Sequence, residues 1–179
     1  MRKKLKNEAL NRISVDVFKT SKKTPLIIVL DNIRSLNNVG AVFRTADAFL
    51  IEAVYLCGIT ATPPHREIQK TALGATATVA WKYFETTADA IENLKQNNYK
   101  IAAIEQTENS TMLTNFSTKK DEKLAVIFGN EVKGVAQTAI DLSDTVIEIP
   151  QYGTKHSLNI AVSCGIVVWS IFQAMKKYQ

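Results

Sequence analysis

The run Leu26-Ile27-Ile28-Val29-Leu30, closed by Asp31 and followed by Asn32-Ile33-Arg34-Ser35-Leu36-Asn37-Asn38-Val39-Gly40-Ala41-Val42-Phe43-Arg44-Thr45, decides the fold class. Five consecutive apolar residues between Pro25 and Asp31 read as a buried strand. Immediately afterwards Val39, Val42, Phe43, Ala46 and Phe49 recur at helical spacing. A buried strand that runs into an amphipathic helix is the first half of a βαβ unit.

The same alternation continues along the chain. Ala53–Cys57 reads as a second strand ended by Gly58, and a Pro63-Pro64 loop leads to a short helical stretch over Arg66–Leu73. Thr78–Phe84 reads as a strand, and 87–97 as a helix with Ala88, Ile91 and Leu94 on one face. Lys100–Ile104, Leu124–Phe128 and Thr145–Ile149 are three further strands, and a helix runs from about Ser157 to Lys177. The polar stretch Glu105–Lys123 reads as a loop with little regular structure. Strands interleaved with helices predict an α/β fold, a mostly parallel sheet with helices on both faces.

Composition fits one soluble domain. The 179 residues are 46% apolar and 22% charged, enough to bury a core without crosslinks. The two cysteines, Cys57 and Cys164, stand apart in apolar segments, which excludes a disulfide scaffold or zinc ribbon and fits a reducing, cytoplasmic setting. No secretory h-region or membrane-length apolar run is present, so no membrane partner is expected. The net charge of +5 is unevenly spread. Residues 1–24 hold eight Lys/Arg against Glu8 and Asp16, a local +6, while the other 155 residues hold 14 basic and 15 acidic groups. We therefore divide the chain into a basic, helical N-terminal arm (1–24) and an α/β domain (25–179). A solubilising end and a polyanion-binding arm both fit this charge.

Three segments follow strands at the places where open α/β sheets hold ligands. In the first, Asn38 is positioned to cap the helix, and Arg44 leans back over Gly40, free to hold a phosphate at the helix N-terminus or to sit as a plain surface arginine. The second, Phe128-Gly129-Asn130-Glu131-Val132-Lys133-Gly134, has P-loop glycine spacing but carries Val135-Ala136 where Lys-Ser/Thr is required, so an ATPase is excluded. It reads either as a backbone cradle with Glu131 reaching inward or as a polar turn. The third, Ile149-Pro150-Gln151-Tyr152-Gly153-Thr154-Lys155-His156-Ser157-Leu158-Asn159-Ile160, enters an apolar helix, with Ser157 as its N-cap. No GxGxxG follows the first strand, no GxSxG elbow precedes Ser157, and no grouping has metal-ligand spacing, so no metal is expected.

Taken together and in this order, the three segments resemble the SpoU/TrmH family of SPOUT-class RNA methyltransferases. The matching positions are Asn38, Gly40, Arg44 and Thr45; then Gly129, Asn130, Glu131 and Gly134; then Pro150, Gly153, Ser157, Leu158, Asn159 and Gly165. His156 stands where the family often has an acidic or amide residue. The resemblance covers roughly residues 25–175. It implies a C-terminal trefoil knot holding S-adenosylmethionine, a homodimer whose site combines both subunits, and methyl transfer to a ribose 2′-hydroxyl of RNA, transfer RNA favoured over ribosomal RNA. On that resemblance Arg44, Asn38, Glu131, Ser157 and Asn159 carry the substrate chemistry. Gly129, Asn130, Gly134, Ile149, Pro150, Gly153 and Leu158 hold the cofactor. A non-catalytic RNA-binding module and a base methyltransferase are the alternatives.

Overall fold

A computed structural model describes residues 2–176. Seven strands, β1 (Thr24–Asp31), β2 (Ile51–Cys57), β3 (Ala80–Phe84), β4 (Lys100–Ile104), β5 (Thr111–Met112), β6 (Leu124–Phe128) and β7 (Thr145–Glu148), form one sheet in the order β3-β2-β1-β6-β4-β7-β5. Every pairing in it is parallel. The helices are α1 (Val15–Thr20), α2 (Leu36–Ala48), α3 (Arg66–Ala72), α4 (Thr87–Gln96), α5 (Gln137–Asp141) and α6 (Ile160–Lys176).

The period of two along β1 sorts its side chains between two cores. Leu26, Ile28 and Leu30 join Val42, Phe43, Ile68, Val167 and Ile171 on the face covered by α2, α3 and α6. Ile27 and Val29 join Ala90, Ile91, Leu94 and Ala139 on the face covered by α4 and α5. The α/β architecture with both sheet faces covered is therefore as the sequence indicates. Phe18 of α1, 3% exposed, belongs to the first of these cores, so the second half of the basic arm is docked on the body.

The structure corrects several local readings. Helix α2 starts at Leu36, with Ser35 as its N-cap; the Ser35 hydroxyl accepts from the Asn38 N–H at 3.3 Å. Asn38 therefore sits inside the first turn, with its amide freed for other partners. The space over Gly40 is filled by α3: a Cβ at Gly40 would collide with the Thr71 hydroxyl and the Ile68 carbonyl. Helix α4 buries Thr87 and Ala90 with Ile91 and Leu94, while Ala88 is exposed, because the Thr87 hydroxyl donates 2.6 Å to the buried Asp31 and sets the helix rotation. Within Glu105–Lys123, Thr111–Met112 adds a short edge strand to β7. Helix α6 starts at Ile160 with Asn159, whose side chain accepts from the Ala161 N–H at 2.9 Å; Ser157 lies in the loop before it. The reading of this helix to Lys177 runs outside the described residues.

Candidate functional site

The C-terminal ends of β4, β6 and β7 open into one cleft of about 760 Å³. Its walls are Ile104–Thr107, Phe128–Val135, Ile149, Gln151 and the segment His156–Ile160. Open parallel sheets place ligands at this end of their strands. The 129–134 turn is shaped by its own residues. Asn130 and Gly134 exchange backbone hydrogen bonds at 3.0 and 2.9 Å. The Asn130 side chain accepts from the N–H groups of Val132 and Lys133. Gly134 has φ +69°, and a Cβ there would strike the Glu105 carboxylate. Glu105 in turn accepts from the Val135 and Gln106 N–H groups, both at 2.9 Å, fastening the end of β4 to this turn.

A polar network joins the three segments singled out in the sequence. Glu131 accepts from the N–H groups of Arg34 and Ser35, each at 3.0 Å, and from the Asn38 side-chain amide at 3.1 Å. The Asn38 carbonyl oxygen accepts from the Asn159 side chain at 3.2 Å. Asn130 also donates to the Asn32 carbonyl at 2.6 Å. Partial burial pushes the Glu131 pKa up, but the donors around the carboxylate outweigh it and hold the group below its ordinary value. Glu131 is thus an anionic clasp for Arg34, Ser35 and the first turn of α2. Beneath it, Asp31, 1% exposed, accepts from the Asn32 amide, the Thr87 hydroxyl and the Ala136 N–H. This second carboxylate ties the end of β1 to the starts of α4 and α5.

The sequence-derived residues fall into two places. Gly129, Asn130, Glu131, Gly134, Ile149, Ser157, Leu158 and Asn159 line the cleft. Pro150 and Gly153 lie outside its lining, and a Cβ on Gly153 would meet open space. Arg44 lines a different groove, of about 490 Å³, with Ala41, Thr45, Ala48, Phe49, Lys70 and Thr71. Within one chain the arginine and the cleft are separate. Glu105, Gln106 and Asp31 were missed. Their signal was available, since each stands at the carboxyl end of a parallel strand. The Gln106 amide donates 2.9 Å to the His156 carbonyl and bridges two walls of the cleft.

Both cysteines are free and buried. Burial pushes the Cys57 thiol up to about 12 and raises Cys164 as well, which disfavours the thiolate at both positions. No group of three His, Cys, Asp or Glu is disposed around a common point among the described residues. No helix among them is long and apolar enough to cross a membrane.

A fully parallel sheet covered on both faces, with a cleft at its carboxyl end, belongs to the doubly covered α/β class, whose ligand sites lie at that end. Residues 25–169 match the model of the SpoU rRNA Methylase family, and the chain belongs to that family. It is 29% identical over 153 residues to the 23S rRNA (guanosine-2′-O-)-methyltransferase RlmB of Neisseria meningitidis, covering 86% of this chain and 60% of that protein. The chain spans about three fifths of the length of the curated relatives it matches. Among solved structures, the A. aeolicus TrmH/SpoU tRNA modifying enzyme superposes with TM-score 0.79 at 22% identity, covering 92% of this chain and 81% of that one. The SpoU methyltransferase AviRb from Streptomyces viridochromogenes, solved with the cofactor AdoMet, gives TM-score 0.76 at 16% identity and coverage of 89% and 63%. These last two likenesses concern the fold.

Proposed function

We propose that the chain is an S-adenosylmethionine-dependent RNA methyltransferase that modifies a ribose 2′-hydroxyl. The observation that carries this reading is the network Glu131–Asn38–Asn159, which ties the Arg44 helix to both walls of the cleft in a chain of the SpoU family. The cleft suits the cofactor on its own chemistry. Its volume is that of a small-molecule site, Ile104, Phe128, Ile140, Ile149 and Leu158 supply apolar walls, and Glu105 and Glu131 outnumber Lys133, which favours a cation. S-adenosylmethionine brings a methyl group already activated on a sulfonium.

The protein's task is then to place a ribose hydroxyl in line and to let its proton pass, by way of the phosphate that Arg44 holds, to water as the sulfonium releases its methyl group. Arg44, a fixed planar cation, holds the phosphate beside the target ribose and keeps the hydroxyl aligned. Asn38, pinned from both sides by Glu131 and Asn159, stays in one orientation. Ser157, exposed at the mouth of the cleft, faces the incoming nucleotide.

Because Arg44 and the cleft are separate within one chain, we infer a homodimer in which each Arg44 serves the partner's cleft. Supporting this, Val162, Ile166 and Trp169 stand at i, i+4 and i+7 on α6, exposed by 51, 38 and 51%. Trp169 also packs on Phe49, whose ring lines the Arg44 groove. An apolar helix stripe left open to water is a partner surface. The reading includes a cytoplasmic setting and a knotted path for the chain that encloses the cleft. Of the two RNA classes we favour transfer RNA over ribosomal RNA, as the resemblance of the three segments implies. Incubation with methyl-labelled donor and bulk RNA tests the proposal. Incorporation by the wild type and none by Arg44→Ala is expected; equal incorporation by both overturns the assignment of Arg44.

A further inference from the structure

The Arg44 groove holds a second cation that none of the family-like segments contains. Lys70 of α3 shares its lining with Arg44, and Arg66 stands one turn earlier on the same face of α3. The groove is held rigidly. The glycine at position 40 lets α3 pack against the α2 backbone, and the Thr71 hydroxyl donates 3.0 Å to the Asn37 carbonyl. Arg44 makes no ion pair among the described residues, and Lys70 is met only by Glu67 of its own helix, at 2.7 Å and half exposed to water. Two cations carried on facing helices and lining one groove, with a single surface carboxylate beside Lys70, form a site for an anion. The groove's lining also includes an aromatic ring, Phe49. Basic grooves with an aromatic wall are what nucleic-acid backbones occupy.

We propose that the α2–α3 groove is an RNA phosphate track in which Lys70, continued by Arg66, holds a phosphodiester next to the nucleotide engaged by Arg44, and that Glu67 weakens this grip. The proposal rests on the reading that the chain acts on RNA. Lys70 is a positioning residue: it fixes the register of the strand and touches neither the methyl donor nor the hydroxyl.

The test uses the full chain and unfractionated transfer RNA, with binding measured over a salt series. For Lys70→Ala the slope of log affinity against log salt falls by about one, with affinity lowered about three- to tenfold at moderate salt. Glu67→Gln, which removes only the competing carboxylate, binds more tightly. Lys82→Ala, on the opposite face of the sheet over the Tyr55 ring, leaves the slope unchanged. In methyl transfer, Lys70→Ala raises KM for RNA more than it lowers kcat, whereas Arg44→Ala lowers kcat. Unchanged slopes in both Lys70→Ala and Glu67→Gln, beside a wild type that binds RNA, overturn the phosphate track alone. A wild type that binds no transfer RNA even at low salt overturns the RNA reading and the track with it.

Discussion

Glu131 offers the sharpest test of how the site is held. Its carboxylate accepts three hydrogen bonds, from the backbone of Arg34 and Ser35 and from the Asn38 amide, at 3.0 to 3.1 Å. Glu131→Gln keeps one oxygen but turns an NH₂ group toward a donor and removes the charge. Hydrogen bonds to a charged group are each worth about 1.5–3 kcal/mol. Glu131 is largely exposed, so screening reduces that figure, and the net loss is about 2 kcal/mol. For a chain of this size that corresponds to a fall in Tm of about 4–8 °C. The pH dependence gives an independent check. The folded pKa of Glu131 lies below its ordinary value. The carboxylate's contribution is therefore complete above the unfolded value of about 4.3 and is lost as pH falls through the folded value. Denaturant unfolding at pH 7 is expected to separate wild type and Glu131→Gln by about 2 kcal/mol. That difference narrows as the pH is lowered past 4. A difference under about 0.5 kcal/mol at pH 7, or one that stays constant into acid, refutes the clasp.

Three further outcomes follow from the geometry. Arg44→Ala is expected to lower methyl transfer by about a hundredfold or more while calorimetric binding of S-adenosylhomocysteine is retained, because the arginine lies outside the cleft. Trp169→Arg places a charge on the open face of α6; light scattering is expected to show a monomer that still binds S-adenosylhomocysteine and transfers no methyl group. A dimer of full activity would remove that face from the interface. Replacing Arg2, Lys3, Lys4, Lys6 and Arg12 by glutamine is expected to flatten the salt dependence of RNA binding. That substitution separates charge from folding, whereas truncation to residue 22 also removes the buried Phe18, a loss of about 3–5 kcal/mol.

Much of the fold was legible because buried parallel strands announce themselves. Leu26–Leu30, Ala53–Cys57 and Leu124–Phe128 are short apolar runs, and all three lie in the middle of the sheet. The errors cluster where distant residues override local preference. Asn38 is a good N-cap residue in isolation. In the fold its amide is claimed by Glu131 and Asn159, 93 and 121 residues away, and Ser35 takes the cap. The face of α4 was misjudged by a part turn because Asp31, 56 residues earlier in the chain, captures Thr87. Helix α5 has five residues, too few for periodicity to register. Helix α6 is apolar almost all round, so its exposed stripe could not be separated from its buried one by pattern. The cleft residues of the second and third segments were legible because they are consecutive in sequence. That Arg44 lines a groove of its own was not, since only the packing of α3 against Gly40 determines it.

The central claim is methyl transfer to ribose, and the product nucleoside tests it most directly. Wild-type protein, methyl-labelled S-adenosylmethionine and, in separate reactions, bulk transfer RNA and ribosomal RNA are incubated, and the RNA is digested to nucleosides and resolved by mass spectrometry. The expected result is label in a single 2′-O-methylnucleoside from one of the two RNAs. Label on a base, or none from either RNA, contradicts it.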